Sequence, residues 1–528
     1  MEKLILGEKN KDEIKEISQD RINFKLTLRK KKFNNILTKK RIFPFKEEEN
    51  PFTLELYLTS LNLPSNYKLI FAEKDELIST SLLNMKSENI LNVKYGICLL
   101  KTYLSYIQDS NELHSNLNLN FISDLLLLIE KWGERKEKKI IFNILYLIAN
   151  YTYINNNKMI SKILLSPKGY KVWNLCFDFQ DYEIMSQLSY ILNNITIDDN
   201  EASYNLIKSN FFQKKIFSFY SNPLVIRHLN VDNPENIFNS IIGNGVSFLG
   251  NILTVKPLST YDKEEMYKLF IPIFELLLKY SESNAKTILN SCLCSVYAAI
   301  DNEERLINLI NNSNILNHIL NKKYFFNDKI ILYSNRILGE YINKYDILSH
   351  DFYEKCVNFE MDILFSSKIS LVIIEVYWVL SNIIHDSINS GEQICKNKLF
   401  IDKTINIYKN SDELKVIHDI SYFFQILISI IDINSFYELI EKGVFEIFLN
   451  HLKNNINNIK KLIILFELIE LCLEKGELLE KNFYGKNIIK EKCKYYGLKD
   501  LLENYENSDD EELEEIINSI MTKCYEKK

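Results

Sequence analysis

Apolar residues along this chain fall into helix-length blocks, and many of these blocks close on one phrase: an aromatic ring, three residues, then Asn. YLIANYT (146–152), YILNNIT (190–196) and WVLSNII (378–384) carry it, and SFLGNIL (247–253) keeps the Asn. After each phrase come a few polar residues, another apolar helix and a turn. The Asn positions are 150, 194, 251 and 382, and positions 297, 340 and 426 continue the register without Asn. Successive separations are 44, 57, 46, 43, 42 and 44 residues. The long gap requires an insertion, placed around Asn222–Asn236, which holds Pro223 and Pro234.

A period near 44 residues is that of armadillo and HEAT units. One such unit cannot bury its apolar faces alone, and stacking joins them into an elongated core. The pattern predicts an all-α, armadillo-type, right-handed superhelical solenoid over residues 75–528. Composition agrees: 528 residues hold only 8 Pro and 13 Gly, and no Pro follows Pro272. Sheet folds would need far more turn residues, whereas helix interiors expel Pro and disfavour Gly.

Before the body, residues 1–43 form a basic arm and 44–74 a polar linker. Arg21 to Arg41 is densely cationic, Glu47–Glu49 follow, and Pro44 and Pro51 favour an exposed, flexible connector. Leu28 to Lys40 contains no helix breaker, so the arm is expected to turn helical when a partner covers it; the bland reading is a solubilising tail. Net charge is −6, which argues against a whole-protein nucleic-acid binder. The N-terminus, MEKLILGEKNKDEIKE, is charged throughout and does not read as a signal peptide. Apolar stretches such as Ile141–Ile148 fall short of a membrane span, so no membrane insertion is expected. The 9 Cys are scattered without metal or disulfide spacing, which suits a reducing cytosolic or nuclear setting.

Residues four apart share a helix face. A ring and an Asn at this spacing project side by side, and repetition lines them along one surface. An Asn amide donates and accepts, so it can bind the backbone of an extended peptide whatever its sequence. Rings between the amides form slots for Lys or Arg, whose heads their faces attract. Asp198 lies one turn beyond Asn194, Glu375 three residues before Trp378 and Asp419 three before Tyr422; such carboxylates select for positive charge. The structural alternative for a single phrase makes the Trp a core residue and the Asn a helix-terminal cap.

At these residues the chain resembles a divergent importin alpha, a karyopherin of the armadillo-repeat class. LRKKKFNNILTKKR (28–41) is similar to that family's importin-beta-binding arm, and WVLSNI (378–383) to its groove phrase. NILTVKPLSTYDKEE (251–265), FYELIEKGVFEIFLNHL (436–452) and YYGLKDLLENYENSDDEELEEIINSIMTKCY (495–525) resemble its later repeats in order. The resemblance implies about ten repeats and a nuclear-import adaptor that binds nuclear-localisation-signal peptides and shuttles between cytoplasm and nucleus. Its major groove would use Tyr146, Asn150, Tyr190, Asn194, Asp198, Ser247 and Asn251. Its minor groove would use Arg336, Glu340, Glu375, Trp378, Asn382, Asp419 and Tyr422, with Ile426 where an Asn is expected. Arg29, Lys30, Lys31 and Lys32, with Lys39, Lys40 and Arg41, would engage importin beta and compete for the groove when that partner is absent. The acidic stretch Asp509–Glu515 would contribute to an export-receptor surface, or serve only as a solvated cap. Tyr for Trp at 146 and 190, and Ser247 with no ring, imply an altered cargo preference.

The competing reading is an armadillo protein-interaction scaffold outside classical nuclear import, for which the arm is incidental. Enzyme function is not expected. No phosphate-cradling glycine loop, nucleophile constellation or metal spacing stands out among the 7 His and 9 Cys, and no cofactor is implied.

Overall fold

A computed structural model describes residues 74–105, 117, 119–154, 158–222, 237–256, 262–283, 285–321, 327–345, 348–411, 413–453, 459–481, 486–505 and 510–525. The basic arm, the linker up to residue 73 and the insertion segment 223–236 lie outside these residues. The described residues are helical, with no strand among them. The chain divides after Ile315 into two compact units.

In the first unit α1 (Lys74–Met85) pairs with α2 (Ile90–Ser105), and α3 (Leu119–Glu134) with α4 (Lys138–Ile154). Two shorter helices, α5 (Lys158–Leu164) and α6 (Pro167–Asp178), lead to α7 (Tyr182–Asp198) and α8 (Asn200–Lys208). After a π-helical turn at Phe212–Phe217 come α9 (Ile237–Leu253), α10 (Asp262–Tyr280) and α11 (Lys286–Asn302). The long helices stack in series: α4 on α7, α7 on α9, and α9 on α11.

The second unit repeats the plan. Its stack consists of α12 (Asp328–Lys344), then, after α13 (His350–Ser366), α14 (Ser370–Asp386). Two short helices, α15 (Ile388–Lys396) and α16 (Lys398–Asn410), precede α17 (Leu414–Ile430). Then α18 (Ile433–Glu441), α19 (Val444–Leu452), α20 (Ile459–Leu479), α21 (Ile488–Tyr495), α22 (Leu498–Glu503) and α23 (Glu511–Tyr525) complete it. Here α12 packs on α14, α14 on α17, α17 on α20, and α20 on α23. Each unit is thus a solenoid-like series of stacked helices.

Local chemistry sets the helix limits. Asp181 accepts hydrogen bonds from the backbone N–H of Glu183 and Ile184 at the start of α7, and Asn327 does the same for α12. Ser166 caps α6, whose first residue is Pro167, a position where a missing N–H costs nothing. Gly443 (φ 85°) joins α18 to α19, and Gly497 (φ 70°) joins α21 to α22 by the same left-handed turn. Beneath the stacks the core is apolar, with Trp132, Trp173, Tyr151, Phe212 and Phe248 fully buried in the first unit. Their polar atoms are matched where packing allows: Trp173 Nε1 donates to the Leu164 carbonyl at 2.7 Å, and Tyr151 Oη to the Leu117 carbonyl at 2.6 Å.

One expectation needs adjustment. The repeated phrase does not close its helix: α4, α7 and α14 each continue a full turn beyond Asn150, Asn194 and Asn382. These Asn side chains are therefore helix-interior residues, and the capping alternative does not describe them.

Candidate functional site

The helices α4, α7, α12, α14 and α17 each hold 17 residues. On this common length the site residues fall into register. Tyr146, Tyr190, Arg336, Trp378 and Tyr422 occupy the ninth position of their helices. Asn150, Asn194, Glu340, Asn382 and Ile426 occupy the thirteenth. In α9 the pair Ser247 and Asn251 sits two positions later, a shift within the uncertainty of where a helix begins.

A second row, three residues before the ring, escaped the sequence reading except at Glu375 and Asp419. Its members in the first unit are Asn143, Gln187 and Asn244, all amides, and Asn290 of α11 falls in sequence with them. In the second unit the row is Tyr333, Glu375 and Asp419. The first unit thus offers neutral amides throughout, whereas two of the three second-unit members, Glu375 and Asp419, are carboxylates. The signal was present in the sequence as an amide three residues ahead of Tyr146, Tyr190 and Ser247.

Several of these amides have a buried atom with no hydrogen-bond partner among the described residues: Asn150 Oδ1, Gln187 Oε1, Asn244 Nδ2 and Asn290 Oδ1. A buried unmatched polar atom is unusual in a folded protein. Amide groups turn about a soft terminal torsion, so their two ends can exchange places at little cost.

Other members are tied into the stack. Asn194 Nδ2 donates to the Ala149 carbonyl and to Thr152 Oγ1, both at 3.3 Å, linking α7 to α4. Asn251 Nδ2 donates to Asn193 Oδ1 at 2.8 Å, linking α9 to α7, and Asn382 Nδ2 donates to the Gly339 carbonyl at 3.2 Å, linking α14 to α12. For these three, part of the donor capacity assigned to a peptide serves helix-to-helix contact. Ser247 Oγ donates to the Gly243 carbonyl of its own helix at 3.0 Å. Trp378 lies so close to α12 that a Cβ on Gly339 would come within 2.1 Å of its ring.

Charge is distributed unevenly. Lys101, from α2, places its ammonium 4.0 Å from the Tyr146 ring centre and 2.5 Å from Asn143 Oδ1. It is buried, and burial pushes its pKa down to about 8. No sequence reading had named Lys101; its signal was a lone cation inside the apolar run YGICLLKTYL. In the second unit Arg336 donates to Glu375 Oε1 from Nε at 3.3 Å and from Nη2 at 3.1 Å, with both side chains nearly buried. Beside them Asn335 Nδ2 donates to Glu360 Oε2 at 2.9 Å. Glu360 is fully buried, and that burial holds its carboxyl pKa well above the ordinary range. Asp419 and Tyr422 share one face of α17, both largely buried.

Asp198 is the last residue of α7, and its side chain lies outside the described residues. The arm residues Arg29, Lys30, Lys31, Lys32, Lys39, Lys40 and Arg41 also lie outside them. Among the described residues no helix is long and apolar enough to cross a membrane, and no group of three or more His, Cys, Asp or Glu is placed to hold a metal ion.

No protein-family model matches the chain, and no curated protein matches it. Among solved structures, one engineered protein from a structural genomics programme is similar over 87% of this chain and 100% of its own, at 12% identity and a TM-score of 0.58. A second engineered protein covers 48% of this chain and 98% of its own, at 12% identity and a TM-score of 0.39. The first likeness concerns the fold alone.

Proposed function

We propose that this chain is a protein-interaction scaffold that binds an extended peptide segment along the polar rows of its stacked helices. The observation that carries this reading is the recurrence of amide, ring and Asn at fixed positions of successive helices, with buried amide atoms left unmatched. An extended backbone presents N–H and C=O groups alternately and supplies the missing partners without regard to sequence. Within the first unit the part-exposed Tyr190 and Asn251, and separately within the second the part-exposed Trp378, are the row members such a segment would touch.

A narrower reading is that of an armadillo-class nuclear-import adaptor, with basic nuclear-localisation-signal cargo on the rows and importin beta on the arm. It is supported by the WVLSNI phrase, the two cationic clusters of the arm, and the Glu375 and Asp419 carboxylates beside Trp378 and Tyr422. Arm and cargo would compete, the arm gaining from its tethered concentration.

The test is fluorescence-anisotropy binding of an immobilisable peptide panel, basic and neutral, to the full chain carrying Lys39→Glu, Lys40→Glu and Arg41→Glu. The scaffold reading expects at least one extended peptide to bind, and Asn150→Ala with Gln187→Ala to weaken it about tenfold. If no peptide binds, the scaffold reading fails. The import reading further expects basic peptides to be preferred, Glu375→Gln with Asp419→Asn to weaken them, and the wild-type chain to retain importin beta in a pull-down. Neutral peptides binding best, with importin beta lost in the wash, would leave the scaffold and remove the adaptor.

A further inference from the structure

We propose that Lys101 is a built-in occupant of the Tyr146 slot, so that an extended peptide on the rows of the first unit presents a Lys or Arg to Tyr190 and an uncharged residue to Tyr146. The proposal rests on the scaffold reading above and adds to it the class of peptide taken.

The slot is filled from within the fold. Helix α2 packs on α4, and the Lys101 ammonium lies over the Tyr146 ring, 4.0 Å from its centre, and 5.9 Å from the centre of the Phe142 ring. Phe142 and Tyr146 are one turn apart on α4, so a single ammonium reaches both rings. Asn143, between them in sequence, accepts from Nζ at 2.5 Å. Three contacts from one helix thus hold the cation where a ligand's Lys or Arg would otherwise stack. Little of the slot is left open, since Tyr146 and Lys101 are each only 6% exposed. With a pKa of about 8, the Lys101 amine carries its proton at neutral pH.

Tyr190, at the same position of α7, is arranged differently. Its ring is part-exposed, and among the described residues no cation lies over it. A basic side chain brought to Tyr190 finds an open ring face. One brought to Tyr146 meets a like charge in partly desolvated surroundings, where repulsion is several times stronger than in water. Excluding charge at one slot supplies a sequence preference that amide contacts to a peptide backbone do not. Packed helices lie roughly 8–10 Å apart and an extended chain advances about 3.3 Å per residue, so the two slots read peptide positions about three residues apart.

A lysine walk along a bound peptide tests the proposal. The parent is a neutral peptide that binds the full chain carrying Lys39→Glu, Lys40→Glu and Arg41→Glu and that loses affinity with Asn150→Ala and Gln187→Ala. Each of its residues is replaced by Lys in turn and measured by fluorescence anisotropy. One position is expected to gain affinity, a gain lost with Tyr190→Ala. About three residues away, Lys is expected to weaken binding about tenfold. Measured against the parent peptide in the same variant, that penalty is expected to shrink to about twofold or less in Lys101→Met and Lys101→Gln and to persist in Lys101→Arg. Either neutral variant suffices if circular dichroism shows it folded. A wild-type walk with no penalised position, or a penalty unchanged in the neutral variants, overturns the proposal and leaves the scaffold reading standing. If no peptide responds to the Asn150 and Gln187 substitutions, the scaffold reading fails for the first unit, and this proposal falls with it.

Discussion

A lysine within an apolar helix face loses hydration that neutral partners only partly replace, and Lys101 carries that cost with Asn143 and the Tyr146 ring as its neighbours. Its folded pKa of about 8 lies below the 10.5 usual for lysine. Below pH 8 both folded and unfolded chains hold the proton, and the burial penalty is fully present. Between about 8 and 10.5 the unfolded chain holds more protons, so this residue's contribution to stability rises with pH, by about 3 kcal/mol at most. Buried tyrosines such as Tyr377 and Tyr408 titrate in the opposite sense, so the measurable quantity is a difference. The unfolding free energy of wild type minus that of Lys101→Met, from urea titrations, is expected to increase from pH 8 to pH 10; a flat difference would show that Lys101 is not perturbed. Gly339 is the other decisive single position. A leucine there collides with the Trp378 ring, and the expected loss is roughly 1–3 kcal/mol. Trp132 and Trp173 are buried, so a red shift in tryptophan emission would report Trp378 leaving its site.

At the scale of the element, the spacing of ring and Asn was readable because a helix face repeats on a fixed angular step. The amide row three residues earlier was equally present in the sequence but hidden, since Asn and Gln are common on helix surfaces. Only the shared 17-residue length of the stacked helices aligned Asn143, Gln187, Glu375 and Asp419. What those side chains touch was not readable at all. Whether Asn382 faces a ligand or the Gly339 carbonyl depends on how closely α12 and α14 approach. The helix-to-helix turns are more predictable. Gly443 adopts a left-handed conformation that a Cβ disfavours, so Gly443→Ala should cost about 1–2 kcal/mol in urea unfolding, and Gly443→Asn less. Equal effects of the two substitutions would place the cause in packing rather than in φ.

For the whole molecule, a ligand that binds only the folded rows stabilises it by mass action, about 2.7 kcal/mol at a hundredfold excess over Kd. A peptide found in the anisotropy panel should therefore raise Tm by several degrees. If the carboxylates of the second unit attract it, the rise should shrink as salt shortens the range of electrostatic attraction. A shift that ignores salt points to the neutral amides of the first unit. Scarce Pro and Gly, with a period near 44 residues, were enough to indicate that the described residues are helical and built from stacked units, because local propensity and apolar periodicity act within one helix or one repeat. Tertiary structure alone decided the division after Ile315, the seating of Lys101 on Tyr146, the pairing of Arg336 with Glu375, and which amides remain unmatched. These depend on distances between residues some 40 positions apart, and such distances are set by how whole helices pack against one another.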